Sequence, residues 1–131
     1  MKVVAYSVKP FEKEHLAKAN QKKHDITLIF NSLSLETAMF ATDKQAVIVS
    51  ATDDASAQVI NKLAELGVKY ITTRSALTAN IDKHAANIHG IKLANAPNEL
   101  GIAQQTISNL DLWELNKCVG KACICDKACK K

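Results

Sequence analysis

Short runs of β-branched and other apolar residues alternate along the chain with amphipathic stretches, the pattern of a parallel sheet covered by helices on both faces. Lys2 to Val8 reads as a first strand that stops at Lys9-Pro10, where the proline suits the start of a helix over about Phe11 to Lys22. Ile26 to Phe30 reads as a second strand, and the Ser34 hydroxyl is placed to cap a helix over Leu35 to Ala41. Ala46 to Ala51 is a continuous apolar run, as expected of a strand buried on both faces. Asp53 or Asp54 is the expected cap of the next helix, in which Val59, Ile60, Leu63 and Leu66 recur about every 3.6 residues before Gly67 ends it. Lys69 to Thr72 reads as a fourth strand, Asp82 as the cap of a helix ended by Gly90, and Ile91 to Ala94 as a fifth strand. After Pro97 a last helix is expected from about Leu100 to Lys117, with Trp113 half buried, and helical periodicity fades from Cys118 onward. This predicts one three-layer α/β domain over residues 1–117 and a separate tail, 118–131.

A chain of 131 residues with 47% apolar and 23% charged residues suits a single globular domain with a packed core. The formal charge of +4 is unevenly placed. Residues 1–116 carry 12 basic and 12 acidic side chains, so the whole excess sits in the tail, on Lys117, Lys121, Lys127, Lys130 and Lys131 against Asp126. Nothing in that distribution calls for nucleic acid as a partner. The opening MKVVAYSVKPFEKEH lacks the long apolar core of a secretory signal, and no apolar stretch approaches the roughly 20 residues that cross a bilayer. A cytoplasmic protein without membrane contact is expected, with its cysteines as thiols or metal ligands rather than disulfides.

The run Gly67-Val68-Lys69-Tyr70-Ile71, followed by Thr72-Thr73-Arg74-Ser75-Ala76 and Asn80-Ile81-Asp82, resembles the D-2-hydroxyacid dehydrogenases, most closely their D-lactate dehydrogenase branch. KVVAYSVKPFEKEHL is similar to that branch's first strand and helix, and IHGIKLANAP to the strand and proline that follow the motif. The likeness covers roughly residues 1–116. It implies a flavodoxin-like fold with five parallel strands in the order 2-1-3-4-5. It also implies that this part supplies the substrate-carboxylate side of a cleft, through backbone amides after Arg-Ser-Ala.

The family's Rossmann domain, and with it the catalytic arginine, glutamate and histidine, has no counterpart in these residues. Glycine occurs only at 67, 90, 101 and 120, so no G-x-G-x-x-G turn exists and NAD is not expected on this chain alone. Three positions depart from the family pattern. Leu77 replaces the glycine of Arg-Ser-Ala-Gly, Glu99 falls near an aromatic position, and Ala103-Gln104-Gln105 stands where the family has Ala-Glu-His.

Ligands of open α/β sheets bind beyond the carboxyl ends of the strands, which places Ser7, Thr52, Asp53, Arg74, Ser75 and Pro97 around the candidate cleft, and the resemblance adds Ala76 and Leu77. Arg74 offers a planar fork to a carboxylate. The alternative is that it fixes the strand-to-helix loop by pairing with Asp82 or Asp53. His15, His24, His84 and His89 lie in polar surroundings without a recognisable catalytic partner and read as solvated. Asp53-Asp54 suits paired carboxylates for acid–base or Mg²⁺ chemistry, but a helix N-terminus explains it more simply.

Cys118, Cys123, Cys125 and Cys129 form C-x4-C-x-C-x3-C, four thiols in twelve residues of a chain that has no other cysteine. Four thiolates fill the shell of a Zn²⁺ ion or hold an iron–sulfur cluster, and neighbouring lysines favour the thiolate form. The reading that results is a stand-alone homologue of the substrate-binding half, without dehydrogenase activity of its own. It would bind a small 2-oxo or 2-hydroxy acid, or act in regulation or assembly, as a homodimer or beside a separate Rossmann chain. Two alternatives stand: a metal-binding or redox-responsive protein acting through the tail, and one half of a split dehydrogenase.

Overall fold

The apolar runs pair as five parallel strands, β1 (Lys2–Ala5), β2 (Asp25–Leu28), β3 (Ala46–Val49), β4 (Tyr70–Thr73) and β5 (Lys92–Ala94), in the order β2-β1-β3-β4-β5. Four helices connect and follow them: α1 (Pro10–Asn20), α2 (Ala57–Glu65), α3 (Lys83–Ile88) and α4 (Ile102–Glu114). The computed structural model describes residues 1–97 and 101–125, so the expectations placed on Glu99 and Cys129 lie outside the described residues. No helix among the described residues is long and apolar enough to cross a membrane.

Because the sheet is parallel and covered on both faces, its central strands bury alternate side chains in two cores. On one face Val4, Val47, Ile71 and Leu93 pack against Val59, Ile60 and Leu63 of α2 and Ala85 and Ala86 of α3. On the other Val3, Ala5, Ala46 and Ile48 meet Leu16 of α1 and Ile107, Leu110 and Trp113 of α4. All four residues of β3 are shielded from solvent, as the unbroken AVIV run predicts.

Several boundaries move for local reasons. Helix α1 ends at Asn20 because Gln21 and Lys22 both take positive φ, 48° and 61°. Helix α4 ends at Glu114, short of Lys117, because Asn116 adopts the left-handed conformation at φ 59°. The helix expected over Leu35 to Ala41 shrinks to a 3₁₀ turn, Ala38–Ala41. Ser34 Oγ does accept the Thr37 amide at 3.4 Å, but Thr37 Oγ1 accepts the Ser34 amide at 2.8 Å and donates to Ser32 O at 2.7 Å. Side chain to backbone bonds therefore replace the helical ladder there. Trp113 is buried rather than half buried, stacked on Tyr70 with ring centroids 4.9 Å apart.

Candidate functional site

The segments that follow β1, β2 and β3 are drawn together by one carboxylate. Asp53 is buried and accepts hydrogen bonds from Ser7 Oγ (2.5 Å), the Leu33 amide (3.0 Å) and the Ser50 amide (2.8 Å). Ser7 holds a positive φ of 56°, which turns the chain out of β1 and lets its hydroxyl reach back to Asp53. Asn80 adds a further tie, donating to Ser50 O at 3.0 Å and Asp53 O at 2.8 Å. Asp53 is thus not a helix cap. Ser56 precedes α2, and Asp54 accepts the Ser56 amide at 3.0 Å. Burial, with the Asp53 charge nearby, raises the pKa of the Tyr6 phenol, which stays protonated and donates to Thr37 O at 2.7 Å.

Arg74 lies beside this knot with its guanidinium bonded on three sides within the protein. Its Nε and Nη2 meet the Glu12 carboxylate at 2.8 and 3.3 Å, Nη1 donates to Tyr6 O at 3.0 Å, and Nη2 donates to Ser7 O at 3.1 Å. The loop-fixing alternative is therefore the observed one, with a different partner. Asp82 instead caps α3 through the Ala85 amide at 2.9 Å, and Asp53 serves the strand ends. Glu12 lies in the first turn of α1, where it also accepts the Lys9 amide at 3.2 Å.

Two cavities flank the Arg74–Glu12 pair. One, of about 210 Å³, is lined by Ser7, Lys9, Ser50, Ala51 and Thr52 together with Phe11, Glu12 and Arg74. The other, of about 310 Å³, lies between α1 and α4 and is lined by Phe11, His15, Leu16, Ile102, Ala103 and Gln104 with the same ion pair. The structure thus brings Ser7, Thr52 and Arg74 to one cavity, with Asp53 beneath it. Ser75, Ala76, Leu77 and Pro97 line neither. In that loop Ser75 Oγ accepts the Leu77 amide at 2.9 Å, Ser75 O accepts the Ala96 amide at 3.1 Å, and the Leu77 side chain is exposed. Lys9 and Ser50 are cavity residues that the sequence pattern left unremarked, because both read as strand-end neighbours.

The strand-end turns do not suit a dinucleotide pyrophosphate. Gly67 and Gly90, at φ 97° and 69°, lie just beyond the last turns of α2 and α3, away from the strand ends where such a cradle forms. The turn after β3 carries Asp53, turned inward, and the exposed Asp54 instead.

One histidine departs from expectation. His24 is buried, with Nε2 at 2.7 Å from Asp111 Oδ1 and Nδ1 at 3.0 Å from Glu114 Oε2, so it joins the β2 side of the sheet to α4. Burial raises the Asp111 pKa, but hydrogen bonds from His24 and Lys23 outweigh it and leave this carboxyl below its ordinary value. His89, by contrast, is exposed and bonds Asn61 at 2.7 Å.

The tail is not arranged as a metal shell in the described residues, which contain no group of three His, Cys, Asp or Glu side chains able to hold an ion. Cys123 packs on the α1–α4 face of the sheet and Cys125 on the α2–α3 face. The expectation of zinc or an iron–sulfur cluster is accordingly not supported: Cys118, Cys123 and Cys125 do not converge, and Cys129 lies outside the described residues.

The model of the D-isomer specific 2-hydroxyacid dehydrogenase catalytic domain matches residues 3–109. A 2-hydroxyacid dehydrogenase homolog of Zymomonas mobilis is 35% identical over 98 residues, covering 74% of this chain and 30% of its own length. The D-lactate dehydrogenase of Escherichia coli is 36% identical over 98 residues, with the same coverage of both chains. The apo structure of an Escherichia coli D-lactate dehydrogenase superposes with a TM-score of 0.73 at 29% identity, over 88% of this chain and 39% of that one. The chain thus spans about a third of the length of the relatives it matches.

Proposed function

Because the chain belongs to the D-isomer specific 2-hydroxyacid dehydrogenase family through that family's catalytic domain, we propose that it supplies the substrate-binding side of a cleft for small 2-oxo or 2-hydroxy acids. By itself it does not transfer hydride. The observation that carries this reading is the cavity of about 210 Å³ at the strand ends, where Thr52 brings a hydroxyl beside the Ser7 and Ser50 hydroxyls that donate to Asp53, and Lys9 brings the cation that Arg74, neutralised by Glu12, does not. A small carboxylate gains charge-assisted hydrogen bonds in such a setting.

Reduction of a bound 2-oxo acid then needs a hydride donor and an acid from elsewhere, which makes a Rossmann-domain chain or segment the natural partner. Phe11, Phe30 and Leu77 are exposed and follow the ends of β1, β2 and β4, so they offer an apolar rim for such a partner or for a second copy of this chain. Calorimetric titration with pyruvate tests the binding claim: heat is expected from the chain and much less from Lys9→Ala. Oxidation of NADH with pyruvate is expected only after a Rossmann chain is added. Turnover by this chain alone contradicts the proposal.

A further inference from the structure

Strand β5 stands at the end of the sheet, so its outward backbone groups must find partners beyond the five strands. The segment after α4 supplies them. The Asn95 amide donates to Ala122 O at 2.9 Å, the Ile124 amide donates to Leu93 O at 3.2 Å, and Ala94 pairs with Cys123 in antiparallel sense. The Leu93 amide donates to a thiol, Cys125 Sγ at 3.3 Å, and the same sulfur lies 3.6 Å from Leu93 O. Behind this contact the segment is anchored by Val119 and Ala122, both buried in the core with α4. A thiol is a weak donor and a weak acceptor, so the last fastening of the segment is its softest one. The family match ends at residue 109, so the segment that covers β5 lies beyond it.

We propose that residues 119–125 form a strap over the β5 edge fastened by the Cys125 thiol, and that thiol–disulfide exchange at Cys125 opens it. With glutathione disulfide the step balances. The Cys125 thiolate attacks one sulfur, the new S–S bond forms as the glutathione S–S bond breaks, and the departing glutathione thiolate takes up the proton that Cys125 lost. A sulfur carrying a tripeptide no longer fits 3.3 Å from the Leu93 amide. The Ile124–Leu93 and Asn95–Ala122 bonds then open, and β5 becomes a free sheet edge.

The test uses the full chain as wild type, as Cys125→Ser, and as the triple variant C118S/C123S/C129S that keeps Cys125 as its one thiol. Each is treated with glutathione disulfide under native conditions, the adduct is located by peptide mass spectrometry, and amide hydrogen exchange is followed. Expected are an adduct on Cys125 and exchange at Leu93, Asn95 and Ile124 faster by about tenfold or more, as for a local opening. Ile71 is expected to stay protected, reductant to restore the slow rates, and Cys125→Ser to show no change on treatment. An adduct on Cys125 that leaves those amides protected overturns the proposal. So does a Cys125 that stays unmodified while the protein is folded. Wild-type chain with mapped adducts gives the same readout where the triple variant folds poorly.

Discussion

The Arg74 guanidinium and the Glu12 carboxylate meet at 2.8 Å across the strand-end crevice, with the arginine side chain 3% exposed and the glutamate 22%. The pair joins the end of β4 to the first turn of α1, and the two carbonyl contacts of Arg74 extend the joint to β1. An arginine held at both edges is a structural tie, so the proposed anion site rests on Lys9 and Thr52.

Glu12→Gln therefore leaves a buried cation facing a neutral amide. Unfolding in urea is expected to show a loss of about 2 kcal/mol, less than for a fully buried pair because Glu12 is partly solvated. Arg74→Lys is expected to lose a similar amount, since an ammonium cannot make the four forked contacts. Unchanged midpoints for both variants would remove the structural role.

Asp53→Asn sets an amide NH₂ against groups that all donate, at Ser7, Leu33 and Ser50. At least one of them loses its acceptor in a buried site, and a loss of about 2–3 kcal/mol is expected. Denaturant unfolding followed through Trp113 fluorescence measures it.

Acid acts first on the contacts between β2 and α4. The Asp111 carboxyl is held below its ordinary value near 3.8, and that of Glu114 below 4.5, the latter chiefly by a hydrogen bond from the N-terminal ammonium. A carboxyl whose pKa is lower in the folded state stabilises the fold above its ordinary value, and that contribution disappears as pH falls through the lowered one. Stability is thus expected to fall below about pH 4 through these two groups. Asp111→Asn is expected to flatten that part of the acid titration and to reduce stability at neutral pH. An acid slope identical to wild type would exclude Asp111 as a contributor.

The parallel sheet and the buried run of β3 were legible because parallel strands between helices leave unbroken apolar segments, the strand order followed from the family resemblance, and Gly67 and Gly90 do end α2 and α3 with positive φ. What escaped were contacts between residues far apart in the chain. Arg74 finds Glu12 across 62 positions and His24 finds Asp111 across 87, and no local pattern around an arginine or a histidine reveals such a partner. Asp53 misled for the opposite reason: it sits where a helix cap is common, yet its oxygens face strand ends that only the tertiary fold brings near. The Cys tail misled by composition, since thiols adjacent in sequence separate to opposite faces once 122–124 pairs with β5.

The most direct test of the central claim is an amide chemical-shift map of the folded chain titrated with pyruvate to millimolar concentration. Saturable shifts centred on Ser7, Lys9, Ser50 and Thr52, weakened in Lys9→Ala, are the predicted result. Shifts confined to other surfaces, or none at all, would contradict the assignment of the strand-end cavity as a site for small 2-oxo acids.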